Sequence, residues 1–205
     1  MNFNRYRLLI LLLTIFSLLF STAPSIAMET SPDILSRLKV STAFAGEFQQ
    51  TKILRDIPFP IISSGNFEFD TSIGLHWIIE KPIASQLLIT PTEMVQTENN
   101  AEVFRVNSQK QPVAGLISKL FFAIFSGDIK LLKQHFRITE QPTIDESWSL
   151  QLIPINPVIA NVIDRIELNG KIELNSFILS ETSGDIIAVT ISNRHNVSQP
   201  YADKD

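Results

Sequence analysis

The chain has 205 residues, no cysteine and a net charge of −4 at neutral pH. Without cysteine it can form neither disulfides nor thiolate metal sites. A mildly acidic chain offers no electrostatic footprint for nucleic acid, so we expect no nucleic-acid partner. The length suits one domain with a substantial hydrophobic core.

The first 27 residues have the three-part layout of a cleaved secretory signal. Arg5 and Arg7 form a positive start, and an apolar run follows over residues 8–20. Ser25-Ile26-Ala27 supplies the small residues that a signal peptidase reads. We therefore expect export and cleavage after Ala27. An uncleaved membrane anchor is the alternative, for which the apolar run is short.

The first half of the chain after this signal reads mostly as strands. A short amphipathic helix is predicted over residues 32–39, with Ser31 as its cap. From Thr42 onward apolar residues alternate with polar ones, which is typical of half-buried strands. We expect strands from residue 42 and over 61–69, 75–80, 85–90, 93–97 and 102–106, with a hairpin turn at Glu98-Asn99-Asn100.

Residues 112–125 interrupt this pattern with a strongly apolar helix. Pro112 suits the first helical position, and Gly127 suits the left-handed residue that ends a helix. The apolar stripe recurs at three- and four-residue steps: Val113, Leu116, Ile117, Leu120, Phe121 and Ile124. Phe122 is expected on the opposite face, with Phe125 on the flank. The helix is too short to cross a bilayer and must lie against the sheet.

Strands resume after a second short helix that Asp128 is expected to cap. We predict them over residues 134–139, 147–153, 162–168, 171–179 and 186–192. Asn169-Gly170 is a strong signal for a hairpin turn. These elements indicate a single domain over residues 28–192, followed by a flexible polar tail over residues 193–205.

About ten or eleven neighbouring strands twist strongly enough to curl. We therefore predict a mainly β fold with helices (α+β), a half-open antiparallel barrel with helix 112–125 as its lid. A dry cavity beneath that lid would bind lipid. The candidate cavity residues are Phe48, Phe67, Phe69, Trp77, Ile79, Trp148, Leu150 and Leu152. The candidate lid residues are Leu116, Leu120, Phe121 and Ile124. An ordinary solid core is the alternative for each of them.

Catalytic motifs are sparse. Residues 36–39 match the Ser-x-x-Lys pattern of penicillin-recognising enzymes, but its companion motifs are missing. His76, His135 and His195 are scattered singly, which argues against a metal site. His76 is expected to face solvent. We predict a protein that is not an enzyme, with no metal and no other cofactor.

Three segments in order resemble the LolA-like family of periplasmic outer-membrane lipoprotein carriers. They are residues 48–52 (FQQTK), 64–69 (SGNFEF) and 74–77 (GLHW), the last followed by Lys81-Pro82. The second half is also similar, with an apolar lid helix, the strand from Trp148 to Pro154 and the hairpin over 163–179. Typical carriers hold an arginine after the second segment that ties the lid to the barrel. Residues 69–75 of this chain contain none.

This resemblance implies a periplasmic carrier that binds acyl chains of lipoprotein or another lipid in a hydrophobic cavity. Such a carrier ferries its cargo from the inner membrane toward the outer membrane. The implied partners are an inner-membrane transporter as donor and an outer-membrane acceptor, with the carrier itself a monomer. The alternative is a lipid-sensing or scaffolding module that partners an inner-membrane exporter.

Overall fold

The computed structural model describes residues 42–107, 111–144 and 146–197, and the side chains of all of these except 112–114. These residues form eleven strands and three helices. The strands are β1 (Ala43–Ile53), β2 (Ile61–Asp70), β3 (Gly74–Lys81), β4 (Ser85–Ile89), β5 (Glu93–Glu98), β6 (Ala101–Asn107), β7 (Phe136–Gln141), β8 (Trp148–Pro154), β9 (Ile163–Gly170), β10 (Leu174–Glu181) and β11 (Ile186–Asn196). The helices are α1 (Pro112–Ser126), α2 (Ile129–His135) and α3 (Pro157–Ala160). The predicted signal and the helix at 32–39 lie outside the described residues.

All eleven strands belong to one antiparallel sheet in the order β6-β5-β4-β3-β2-β1-β11-β10-β9-β8-β7. Strands β6 and β7 form its two edges and do not pair with each other, so the barrel stays open. Helices α1 and α2 connect these two edges in sequence, which carries the chain across the opening. The predicted half-open barrel of ten or eleven strands with a helical lid is confirmed.

The limits of α1 follow local rules. Pro112 occupies its first turn, and Gly127 ends it in the left-handed conformation with φ of 66°. The amide of Asp128 donates to the Ala123 carbonyl oxygen at 2.9 Å. The carboxylate of Asp128 then accepts from the Leu131 amide at 3.0 Å and caps α2. The predictions that α1 begins at Pro112 and ends at Gly127, and that Asp128 caps α2, are therefore correct.

The predicted orientation of two aromatic residues on α1 is wrong. Phe125 is only 1% exposed instead of lying on the flank. Its ring lies 5.8–6.4 Å from five others on the concave face, those of Phe44, Phe67, Phe69, Trp77 and Phe177. Phe122 is half-buried and lies 5.3 Å from the ring of Phe69. A strongly curved sheet reaches around the helix, so more than one stripe of α1 makes contact.

Strand β11 is longer than predicted, because it continues past Ser192 to Asn196. Residues 193–196 were predicted to belong to the flexible tail, but His195 and Asn196 pair with Ala45 and Phe44 at the start of β1. A bulge places Arg194 with its guanidinium 3.7 Å from the centre of the Phe44 ring. The residues are polar, so hydrophobic alternation could not reveal this part of the strand.

The β9–β10 hairpin is confirmed, but its turn lies later than predicted. Asn169 and Gly170 are the last residues of β9, and residues 171–173 make the turn. Gly170 is required there for space. A Cβ on it would lie 2.4 Å from Cζ2 of Trp148 and 2.0 Å from the Glu173 carbonyl oxygen. Its role is to admit the Trp148 ring.

Replacing Gly170 with alanine should lower the free energy of unfolding by about 3 kcal/mol, because the new methyl group collides with backbone and a packed indole. The measurement is the shift in the midpoint of urea unfolding. Asn169→Ala, one residue earlier on the opposite face of β9, is the matched control and should shift it much less. Equal midpoints for the two variants would contradict this role of Gly170.

Candidate functional site

A cavity of about 440 Å³ lies between α1 and the concave face of the sheet. Eleven of its fifteen lining residues are apolar: Leu75, Trp77, Ile79, Leu87, Ile89, Met94, Phe121, Phe125, Phe177, Ile187 and Val189. The four polar ones are Gln50, Lys52, Ser85 and Gln96. The volume and the lining are those of a site for an apolar small molecule.

Strand register assembles one wall of this cavity from β3, β4 and β5. Trp77 lies opposite Leu87 on β4, which in turn lies opposite Gln96 on β5. Ile89 lies opposite Leu75 on β3 and opposite Met94 on β5, so these three residues form a second row beside the first. Since side chains alternate between faces, these rows point together to the concave side.

Trp77 is held in place by a stack across a glycine. Gly65 on β2 lies between Phe48 on β1 and Ile79 on β3. A Cβ on Gly65 would lie 1.8 Å from the Ile78 carbonyl oxygen, so only glycine fits this close approach. The rings of Phe48 and Trp77 stack over the gap with centroids 3.7 Å apart. The Trp77 ring is therefore supported by a neighbouring ring on the same concave face.

Polar lining residues mark one end of the cavity, which we call the mouth. Gln50 and Lys52 lie near the end of β1, and Ser85 begins β4. The Gln50 amide donates to Ser63 Oγ at 3.3 Å, and that of Gln96 donates to Glu98 Oε1 at 2.9 Å. Several apolar side chains are exposed at the strand ends and loops on this side: Ile53, Phe59, Ile61, Ile62 and Ile83.

Three of the twelve candidate residues from the sequence line the cavity: Trp77, Ile79 and Phe121. Phe48 is buried and stacks beside Trp77. Five others are buried in the core, and the cavity lining does not include them: Phe67, Phe69, Trp148, Leu150 and Leu152. The remaining three are Leu120 and Ile124, which are buried, and Leu116, which is partly buried. Their contact with lipid stays a prediction.

Sequence reasoning missed most of the cavity wall. Leu87 and Ile89 on β4 follow the same two-residue alternation as the predicted cavity residues, so the sequence does contain a signal for them. Lys52 and Gln96 carried no comparable signal, because a polar residue in a strand is normally assigned to solvent. Phe125 was missed since the face that it occupies depends on how far the sheet curls.

A second concavity, of about 550 Å³, lies on the outer face and is lined mostly by polar residues such as Gln49, Asn66 and Thr190. Within the described part of the chain, no three histidine or acidic residues are grouped closely enough to hold a metal ion. There too, no helix has the length and apolar character needed to span a membrane.

The exposure of His76 is lower than the sequence analysis predicted. This residue is half-buried on β3 instead of facing solvent freely. Burial lowers the pKa of its imidazole, while a hydrogen bond with the Gln86 side chain and the charge of Glu68 oppose that shift. Since His76 is on the outer face, its titration does not touch the cavity.

Together, the open antiparallel sheet, its covering helix and the apolar cavity between them define a half-open barrel with a helical lid. The sequence family described as "Outer membrane lipoprotein carrier protein LolA-like" matches residues 27–191. The chain belongs to this family, whose members are carriers of lipid or lipoprotein in the periplasm. Comparison with curated proteins finds no significant match.

Several solved structures resemble the chain at a distance. A LolA superfamily protein from Nitrosomonas europaea is 11% identical, with 83% of this chain and 95% of that one covered and a TM-score of 0.48. A putative outer membrane lipoprotein-sorting protein domain from Vibrio parahaemolyticus is 9% identical, with 84% and 92% covered and a TM-score of 0.43. LprF from Mycobacterium bovis is 15% identical, with 83% and 97% covered and a TM-score of 0.33.

Two phenylalanines of α1 should respond differently to truncation. Phe125→Ala removes a fully buried ring from the aromatic cluster and should lower the free energy of unfolding by about 3–5 kcal/mol. Phe121 is only partly buried and borders the cavity, so Phe121→Ala should cost less than half as much. Urea unfolding of both variants measures the difference. Equal losses would mean that the cavity beside Phe121 is filled in solution.

Proposed function

We propose that this protein is a periplasmic carrier that holds an acyl chain of a lipoprotein or another lipid beneath α1. In this role the protein would take the lipid from an inner-membrane donor and deliver it to an outer-membrane acceptor. The observation that carries the proposal is the cavity, which is apolar over most of its lining and bounded by the helix. Family membership and the signal-like N-terminus support the periplasmic location.

Burial alone can supply the binding energy that such a carrier needs. Each methylene group removed from water contributes roughly 0.8 kcal/mol. Apolar side chains from β3, β4, β5, β10, β11 and α1 would surround a chain in the cavity, so no specific hydrogen bond to the hydrocarbon is required. Release would require a displacement of α1 or a better apolar site in the acceptor.

A matched pair of substitutions on β4 tests whether the cavity holds lipid. Leu87 points into the cavity, and Leu88 is the next residue on the outer face of the same strand. Leu87→Glu should abolish lipid retention, because a carboxylate in an apolar cavity is strongly disfavoured. Leu88→Glu introduces the same charge outside and should retain lipid.

Native mass spectrometry of each protein, purified from the periplasm of its own host, measures the lipid load. We expect about one lipid per wild-type molecule and per Leu88→Glu molecule, with none on folded Leu87→Glu. An empty wild-type protein, or equal loads in the two variants, would rule out the cavity as the binding site.

The alternative function, a lipid-sensing or scaffolding module, predicts binding without delivery. Loaded protein mixed with acceptor vesicles distinguishes the two roles. A carrier transfers its fluorescent acyl cargo to the vesicles at a rate set by the protein, whereas a sensor retains it. Failure to transfer to any acceptor membrane would favour the sensing role.

A further inference from the structure

We infer that the cargo is an amphiphile with one acyl chain and an anionic headgroup, which Lys52 binds at the mouth. This inference depends on the proposed function and narrows its cargo. It combines two independent observations, the size of the cavity and the charge at its entrance.

The cavity has room for one long chain. A methylene group takes up about the volume of a water molecule in the liquid, roughly 30 Å³. The space of about 440 Å³ therefore accommodates about fifteen such groups. A lipid with two or three long chains would leave most of its hydrocarbon outside. The cavity as described thus matches a single acyl chain.

Lys52 is the one charged residue among those that line the cavity. It follows Phe48 and Gln50 on the inward face of β1 and is half-buried near the strand's end. Within the described residues, none of the ion pairs involves its ammonium group. A cation that borders an apolar cavity is stabilised by an anion that reaches it, and the headgroup of a bound amphiphile supplies such an anion.

Two amides extend this site. Gln50 and Gln96 each donate one bond to a protein oxygen, and each amide group has a second N–H. These N–H groups suit the oxygens of a carboxylate or a phosphate. Carboxylates at this end, among them Glu98, Glu181 and Asp185, oppose an anion, but none of them lines the cavity, and Glu98 already accepts from Gln96. The mouth thus offers a cation and amide donors around an apolar space.

The binding test uses pairs of probes that share one chain and differ in their headgroup. Palmitate and lysophosphatidate are anionic, hexadecanol is neutral and hexadecylamine is cationic. Displacement of an uncharged fluorescent probe measures affinity at a pH where the acids are ionised and lysine is protonated. We expect the anionic probes to bind about fivefold to tenfold more tightly than hexadecanol, with the advantage reduced by salt.

Lys52→Gln should remove this preference while hexadecanol binding stays unchanged. Lys81→Gln, which removes an exposed charge at the same end outside the cavity, is the matched control and should keep the preference. Lys52→Glu should favour hexadecylamine instead. If wild type binds hexadecanol as tightly as palmitate, or if Lys52→Gln keeps the preference, the lysine only covers apolar surface and the headgroup inference is wrong.

The number of acyl chains in the cargo is tested separately with phosphatidate, which has two, and a triacylated lipopeptide, which has three. Tighter binding of either than of lysophosphatidate would overturn the single-chain inference, while the carrier proposal would stand. If no probe binds, including hexadecanol, then the carrier proposal fails as well, so the two failures are distinguishable.

Discussion

The arrangement depends on the insertion of Phe125 from α1 into the aromatic cluster of the concave face. This ring contacts side chains from β1, β2, β3 and β10, so one residue fixes the helix over the open barrel. The cluster is solid at this point, because five large rings surround Phe125. Beside it the helix presents Phe121, and there the sheet is too wide for its side chains to fill. The cavity is thus the unfilled remainder of a strongly curved sheet.

Each end of the barrel carries a partly buried cation, and the two cations differ in their partners. At the end away from the mouth, Arg194 lies over the ring of Phe44 and pairs with Glu173 at 3.0 Å. Burial lowers the pKa of this arginine, and the charge of Glu173 opposes the shift. A half-buried cation is tolerated there because an aromatic face and a carboxylate compensate for lost water. Lys52 at the mouth has no such partner among the described ion pairs, which makes it available to a ligand.

Periodicity and local capping predicted most of the fold. The alternation of apolar and polar residues predicted the strands of the sheet, and Gly127 and Asp128 predicted the helix boundaries. Asn99 and Asn100 adopt the positive φ values that their predicted hairpin turn requires. The cavity was less accessible, because inward alternation is the same for a residue in a solid core and for one that borders a void. Trp148 and Trp77 have equivalent patterns in their strands, yet only Trp77 lines the cavity. That difference depends on where α1 lies, which no local pattern records.

The position of α1 also bears on how cargo could enter. The lid arginine of typical carriers has no counterpart in residues 69–75, and here Phe122 packs on Phe69 in that region. A lid held by apolar contacts can exchange some of them for contacts with an acyl chain, since both are equivalent forms of burial. A ligand shifts such an equilibrium only by its difference in affinity for the two states. An acyl chain in contact with Phe121 would add burial only while α1 lies over the cavity, so cargo itself would stabilise that position of the helix.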